Sequence, residues 1–265
     1  SSSYKASSSQ RRLWVLSQFE EGSFAYNIPM IYELEGELDE VEFITSFNRL
    51  LERHESLRTV FTETEEGEVH QVVKPLEESS FTLNEFDFRE NSEEALALSI
   101  KEELSKTFDL ENGPLLGASL YKTAEDKYVF TFVMHHIISD GWSMGVLIRD
   151  LLTIYNAKVN NEPIPLSPLR IQYKDYAAWQ QSQLEGDELE EHKRYWLDQF
   201  EGELPVLDLP SDHTRPAVKT FNGALISGVI NKDLSKELNK LTKDVGGTLF
   251  MGLLGLTNTL FHRYT

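Results

Sequence analysis

Two adjacent histidines close a strand-like apolar run and open onto a loop and then a helix. No other stretch of the 265 residues restricts the fold as much. The run is Tyr128-Val129-Phe130-Thr131-Phe132-Val133-Met134. It is short, aromatic and β-branched, which predicts a buried strand. His135 and His136 follow, then Ile137-Ile138-Ser139-Asp140-Gly141-Trp142. Beyond them Leu147, Ile148, Leu151, Leu152 and Tyr155 recur at helical spacing. The pair therefore sits at a strand end, where a rigid scaffold presents chemistry. Successive strand residues point to opposite faces, so the two imidazoles are expected to do different jobs. No cysteine exists and no other histidine lies within helical or hairpin reach, so no metal site is expected.

The rest of the chain alternates strands and helices, which makes the fold class α/β. Gln10 to Phe19 is amphipathic over one or two helical turns, and Ile28 to Glu35 alternates as a strand. Asp39 is placed to cap a helix with Glu42 at the capping-box position. Phe43, Ile44, Phe47, Leu50 and Leu51 form that helix's apolar stripe. Thr59 to Thr62 and Val69 to Lys74 flank Glu65-Glu66-Gly67-Glu68 as a hairpin. Asn91 or Ser92 caps a helix carrying Leu96, Ile100 and Leu104. Leu116 to Leu120 is a strand, and Glu125-Asp126 turns it into the histidine strand. Pro163 to Pro168 is an extended connector, with helices predicted over 171–183 and 187–200. Leu204 to Ala217 reads as a Pro-rich linker. A strand is predicted over 221–230, then helices over 233–245 and 248–262. The serine-rich residues 1–9 are expected to be flexible.

Hydrophobic content of 40% supports a sizeable core and argues against wholesale disorder. Acidic residues number 44 against 25 basic, a net charge of −19, which disfavours a nucleic-acid or anionic-membrane partner. The absence of cysteine excludes disulfides and thiol catalysis and fits a reducing cytosol. No run approaches the roughly 20 apolar residues of a spanning helix, so a cytoplasmic location is expected.

The spacing His-His-x-x-x-Asp-Gly resembles the signature of the condensation domains of nonribosomal peptide synthetases, which belong to the chloramphenicol-acetyltransferase-like acyltransferases. Ser9-Gln10-Arg11-Arg12-Leu13-Trp14 resembles their first motif and Arg53-His54-Glu55-Ser56-Leu57-Arg58-Thr59-Val60-Phe61 their second. Tyr173-Lys174-Asp175-Tyr176-Ala177-Ala178-Trp179 resembles the fourth, although an aromatic helix packed on a core accounts for most of its residues. Gly117 stands where the family commonly has Arg. The stretch 137–147 and Tyr26-Asn27-Ile28-Pro29 resemble the class that takes an L-configured donor and an L-configured acceptor. Heterocyclisation domains, by contrast, replace the histidines with aspartates.

The resemblance implies a two-layer α+β lobe, a mixed sheet covered by helices, over residues 10–180. It implies inter-lobe helices and a linker over 181–220, and the beginning of a truncated second lobe over 221–265. The implied reaction is peptide-bond formation in antibiotic-type secondary metabolism. The α-amine of a downstream carrier-bound aminoacyl thioester attacks an upstream carrier-bound acyl or peptidyl thioester. Substrates arrive on phosphopantetheine arms, and no cofactor is expected on the domain itself. The implied partners are the upstream and downstream peptidyl carrier proteins, an adjacent adenylation domain and the rest of the second lobe.

The implied catalytic set is His136, His135, Asp140 and Gly141. His136 acts as base or positions the amine, and His135 supports the loop from the opposite face. Asp140 is expected to pair with Arg58 and fix the loop. Gly141 permits a turn that a Cβ would obstruct and offers its N–H to an oxyanion, or is a plain turn glycine. Trp142 and Ser143 are the candidates for the substrate tunnel. Two rival readings are a coenzyme-A-dependent acyltransferase of the same superfamily and a non-catalytic carrier-docking fragment. A chain of this extent is expected to be inactive alone.

Overall fold

A computed structural model describes residues 2–19, 25–79, 81–184, 187–214, 216–217 and 223–265. The chain divides into two compact units, Ser1–His192 and Lys193–Thr265. Among the described residues no helix is long and apolar enough to cross a membrane.

The first unit is built on two sheets. The four-stranded one has the order β2 (Asn27–Glu35), β7 (Lys127–His135), β6 (Leu116–Ala124), β5 (Leu83–Asp87). Its pairs are antiparallel except β5 with β6, which is parallel. Alternation along β7 sets up its two faces. Tyr128, Phe130, Phe132 and Met134 point into the main core with Phe43, Phe47, Leu50 and Leu51 of α2 (Glu40–Arg53) and Leu147 and Leu151 of α4 (Gly141–Val159). Phe43 meets Phe130 edge-on at 5.0 Å. Such a pair adds about 1 kcal/mol to the burial of its own area. The opposite face meets α3 (Glu93–Leu104): Ser119 and Asn84 both donate to the Glu103 carboxylate. The caps follow the sequence. Asp39 accepts the Glu42 N–H, and Ser92 accepts the Ala95 N–H.

The smaller sheet has the order β1 (Ser2–Lys5), β4 (Val69–Val73), β3 (Thr59–Glu63), all antiparallel. Its β3–β4 hairpin is the one expected. The expected flexibility of residues 1–9 is corrected: Ser2 to Lys5 pair with His70 to Val73, and Ser7 begins α1 (Ser8–Ser17) with a reciprocal capping box to Gln10. Edge pairing with β4 orders a segment whose own side chains carry little signal. Strand β5 was also not foreseen, because three of its five residues are polar and it pairs in parallel at an edge. Helix α5 (Tyr173–Gln183) completes this side of the unit, and α6 (Asp187–Gln199) follows it in the chain.

In the second unit α7 (Lys232–Asp244) packs against α8 (Leu249–Tyr264). Gly252 allows the close approach, since a Cβ there would collide with Thr242 and reach Leu238. The strand expected over 221–230 does not form in its described part, residues 223–230; Phe221 and Asn222 lie outside the described residues. Leu225, Ile226 and Val229 are exposed, and no strand among the described residues of this unit offers them a ladder. An alternating sequence needs a paired neighbour to become a strand. No residue of α8 is buried within the described residues, although its apolar residues lie on more than one face.

Candidate active site

The last strand residue is His135, and the chain then leaves the sheet. Its N–H donates to Leu115 O, and the His136 N–H donates to Tyr26 O, both main-chain bonds. The two rings part as the alternation requires. His135 is only 4% exposed, whereas His136 is open to solvent. The buried His135 ring lies near Phe108 and Tyr26, and its Nδ1 accepts the Ile137 N–H at 3.1 Å. A neutral ring accepting at Nδ1 carries its proton on Nε2. Burial, and secondarily the neighbouring His136, pushes the His135 pKa down to about 4. His135 is therefore neutral and a weak base; it shapes the loop.

That shift has a measurable sign. Between pH about 6.5 and about 4 the unfolded chain binds a proton at His135 that the folded chain refuses. Stability from this group is thus full above pH about 6.5 and falls by ~3 kcal/mol as the pH drops to about 4. His135→Asn keeps an acceptor for Ile137 but does not titrate. Urea midpoints measured across this range should fall less steeply in the variant. Identical slopes in parent and variant would contradict the assignment.

Asp140 is the N-cap of α4. Its Oδ1 accepts the Ser143 N–H at 2.8 Å and the Ser143 hydroxyl at 2.6 Å. These bonds hold its carboxyl below the usual carboxylate range. A cap of this kind is worth about 1 kcal/mol. The expected Arg58–Asp140 pair is corrected. Arg58 donates to the carbonyls of Leu51 and Lys74 and lies 3.8 Å from the Glu55 carboxylate. The physical reason is that Asp140 is exposed at the start of its own helix, where solvent and the bonds of Ser143 to Oδ1 remove the need for a buried cation. The second motif does bind an acid of α4, through different residues: Arg53 Nε and His54 Nε2 both lie 3.0 Å from Asp150 Oδ2. Asp150 is 4% exposed, and Arg53 also donates to Ser167 O.

Gly141 is the first residue of α4. A Cβ on it would meet nothing within 4 Å, and its φ is not positive. The expectation that a side chain would obstruct the turn is corrected: the chain's own backbone does not require glycine there.

His136 opens into a cleft of about 770 Å³. The loop wall is Ile137 to Asp140 with Ser143; a second wall is the face of α1 that carries Ser9, Gln10, Arg12, Leu13 and Leu16. Tyr26, Ser56, Tyr173 and Tyr176 complete the lining. Ser143 lines the cleft. Trp142 is not among the lining residues; it is 86% exposed at the start of α4. No hydrogen bond within the described residues engages the His136 ring, so both its nitrogens remain available. Sequence reasoning missed Tyr173 and Tyr176 by assigning their helix to the core. Of α5, only Ala177 is buried.

The profile of the condensation-domain family matches residues 1–265. The chain belongs to the condensation-domain family. This condensation domain is 44% identical over 260 residues to a linear gramicidin synthase protein of Brevibacillus parabrevis, covering 97% of this chain and 3% of that protein. It is 37% identical over 262 residues to gramicidin S synthase 2 of Aneurinibacillus migulanus, covering 99% of this chain and 6% of that one. The domain thus spans less than a tenth of these two relatives. Its fold is shared with the X-domain in the complex of the X-domain and OxyB from teicoplanin biosynthesis. There the TM-score is 0.82 at 24% identity, over 100% of this chain and 57% of that one. The four strings that carried the resemblance fall in this condensation domain on α1, on the turn after α2, on the β7–α4 loop and on α5. All four contribute residues to one cleft.

Proposed function

We propose that this condensation domain forms peptide bonds in nonribosomal peptide synthesis, joining an upstream acyl or peptidyl thioester to the amine of a downstream aminoacyl thioester. The observation that carries the reading is the free His136 ring in an open cleft, set beside a buried, neutral His135. The acceptor amine nitrogen attacks the donor carbonyl, and a C–N bond forms as the C–S bond breaks. The amine proton passes through His136 to the departing thiolate. An α-amine titrates near 7.7–8.0 and is partly free base at neutral pH, so a hydrogen bond that aligns it and then takes its proton suffices. Gly141 stands at the N-terminus of α4, and its N–H is the donor assigned here to the developing oxyanion.

The substrates come on phosphopantetheine arms of carrier proteins, with an adenylation domain and the remainder of a second lobe as further partners. The stretch 137–147 favours an L-configured donor and an L-configured acceptor. Docking without catalysis is the second reading, because the X-domain of similar fold stands in a complex with OxyB. The full-length protein given two loaded carriers should yield the amide-linked product on the downstream carrier, detected by mass spectrometry. Carrier binding without product would favour docking. Product from a coenzyme A thioester in place of the donor carrier would favour a free-standing acyltransferase.

A further inference from the structure

Asn27 opens β2 and stands directly opposite His135 on β7. Residues paired in this way share a face of the sheet, here the face that meets α3. The side chain uses that position. Its Nδ2 donates to Lys106 O at 2.7 Å and reaches Leu104 O at 3.4 Å. The last carbonyls of a helix find no donor within it, so the amide supplies one at the end of α3. The segment it holds runs on to Phe108, whose ring lies 6.5 Å from that of His135. On the other side Asn27 continues the chain from Tyr26. The Tyr26 ring lies 6.2 Å from His135, and the Tyr26 carbonyl accepts the His136 N–H at 2.8 Å. One amide thus joins the two rings beside His135 to the carbonyl on which His136 hangs. Its Oδ1 is buried and accepts no hydrogen bond among the described residues. Stability alone does not favour an unpaired buried acceptor.

We propose that Asn27 is a positioning residue for the reaction: by tying the end of α3 to the start of β2 it fixes Tyr26 O, and through it the place of His136 in the cleft. The proposal rests on the function proposed above. Asn27 is not among the cleft-lining residues, so it acts on the chemistry through His136 and not on the substrates. Alanine at this position keeps the strand and the bond to His136 but releases residues 104–108. Misplacing a reacting group by about an ångström costs on the order of 100-fold, and a partial release is expected to cost about tenfold.

The test is a double-mutant cycle in the full-length protein given two loaded carriers. Asn27→Ala should lower kcat about tenfold and leave KM for either carrier within about twofold of the parent. In the His136→Ala background the same change should cost nothing further, because the group it places is gone. Asn27→Asp keeps the shape but, ionised, cannot donate to the two carbonyls, so it should lose as much kcat as alanine. Ser92→Ala is the structural control. It removes the cap at the other end of α3, and should lower the melting temperature about as much as Asn27→Ala while keeping the parent's kcat. Additive losses in the cycle, a raised KM with kcat unchanged, a parent-like Asn27→Asp, or equal kcat in Asn27→Ala and Ser92→Ala would each overturn the proposal. A parent-like rate in His136→Ala would overturn the function itself, so the two failures are read from different variants.

Discussion

His136→Ala lowers amide formation in the full-length protein by about 10²–10⁴-fold, the usual worth of a general base. The melting temperature stays essentially where it was. The two halves of that expectation have separate causes. The ring lies in a solvent-open cleft and makes no intramolecular hydrogen bond within the described residues, so its removal leaves no orphaned partner and no cavity. What the loop needs from this residue is its N–H on Tyr26 O, which alanine keeps. Single-turnover rates with two loaded carriers, measured beside a thermal melt, check both halves. A rate within a few-fold of the parent would remove His136 from the chemistry. A collapsed melt would make it a structural residue.

Asp150→Ala should do the reverse and destabilise the domain without touching the cleft. Asp150 is buried on the core face of α4 and holds Arg53 and His54 of the second motif through one carboxylate oxygen. Removing it strands a guanidinium that is 18% exposed and a histidine whose burial already pushes its pKa below the usual range. Breaking a buried pair from one side costs ~3 kcal/mol or more. In a unit of this size that lowers Tm by about 6–12 °C. The Arg58→Ala variant provides the contrast. Its carbonyl contacts and single 3.8 Å approach to Glu55 predict a smaller loss. If Arg58→Ala and Asp150→Ala destabilise equally, or if Asp150→Ala melts like the parent, the network does not hold α2 to α4.

Much of this was legible in the sequence, for reasons that can be named. Strand β7 shows as seven consecutive apolar or β-branched residues because both its faces are covered, and α2 and α4 show through their apolar stripes. The different fates of His135 and His136 follow from alternation alone. Asp150 also left a readable sign: it interrupts the series Leu147, Leu151, Ile154 on a buried helix face, where a carboxylate needs a cation. The pair that forms, Arg53 with Asp150, shares neither residue with the expected pair of Arg58 and Asp140. What sequence could not show is where non-local pairing decides the outcome. Strand β1 exists because β4 offers it an edge, and residues 223–230 have no strand beside them among the described residues of their own unit. The aromatic residues of α5 failed for another reason. Spacing of three residues identifies a face but does not say whether the face meets a core or a cleft.

The main-chain bond from His136 to Tyr26 separates the fate of the imidazole from the fate of the scaffold. Backbone fixes the position, and the imidazole is a replaceable attachment at the end of a strand already anchored on both sides. Selection for folding therefore exerts almost no grip on the identity of residue 136; only the reaction proposed above would. A descendant relieved of its reaction can lose the histidine in one step and still display the same walls, the same helix ends and the same outer surfaces to whatever binds them. Chemistry in such a domain is easily shed, while its shape is not.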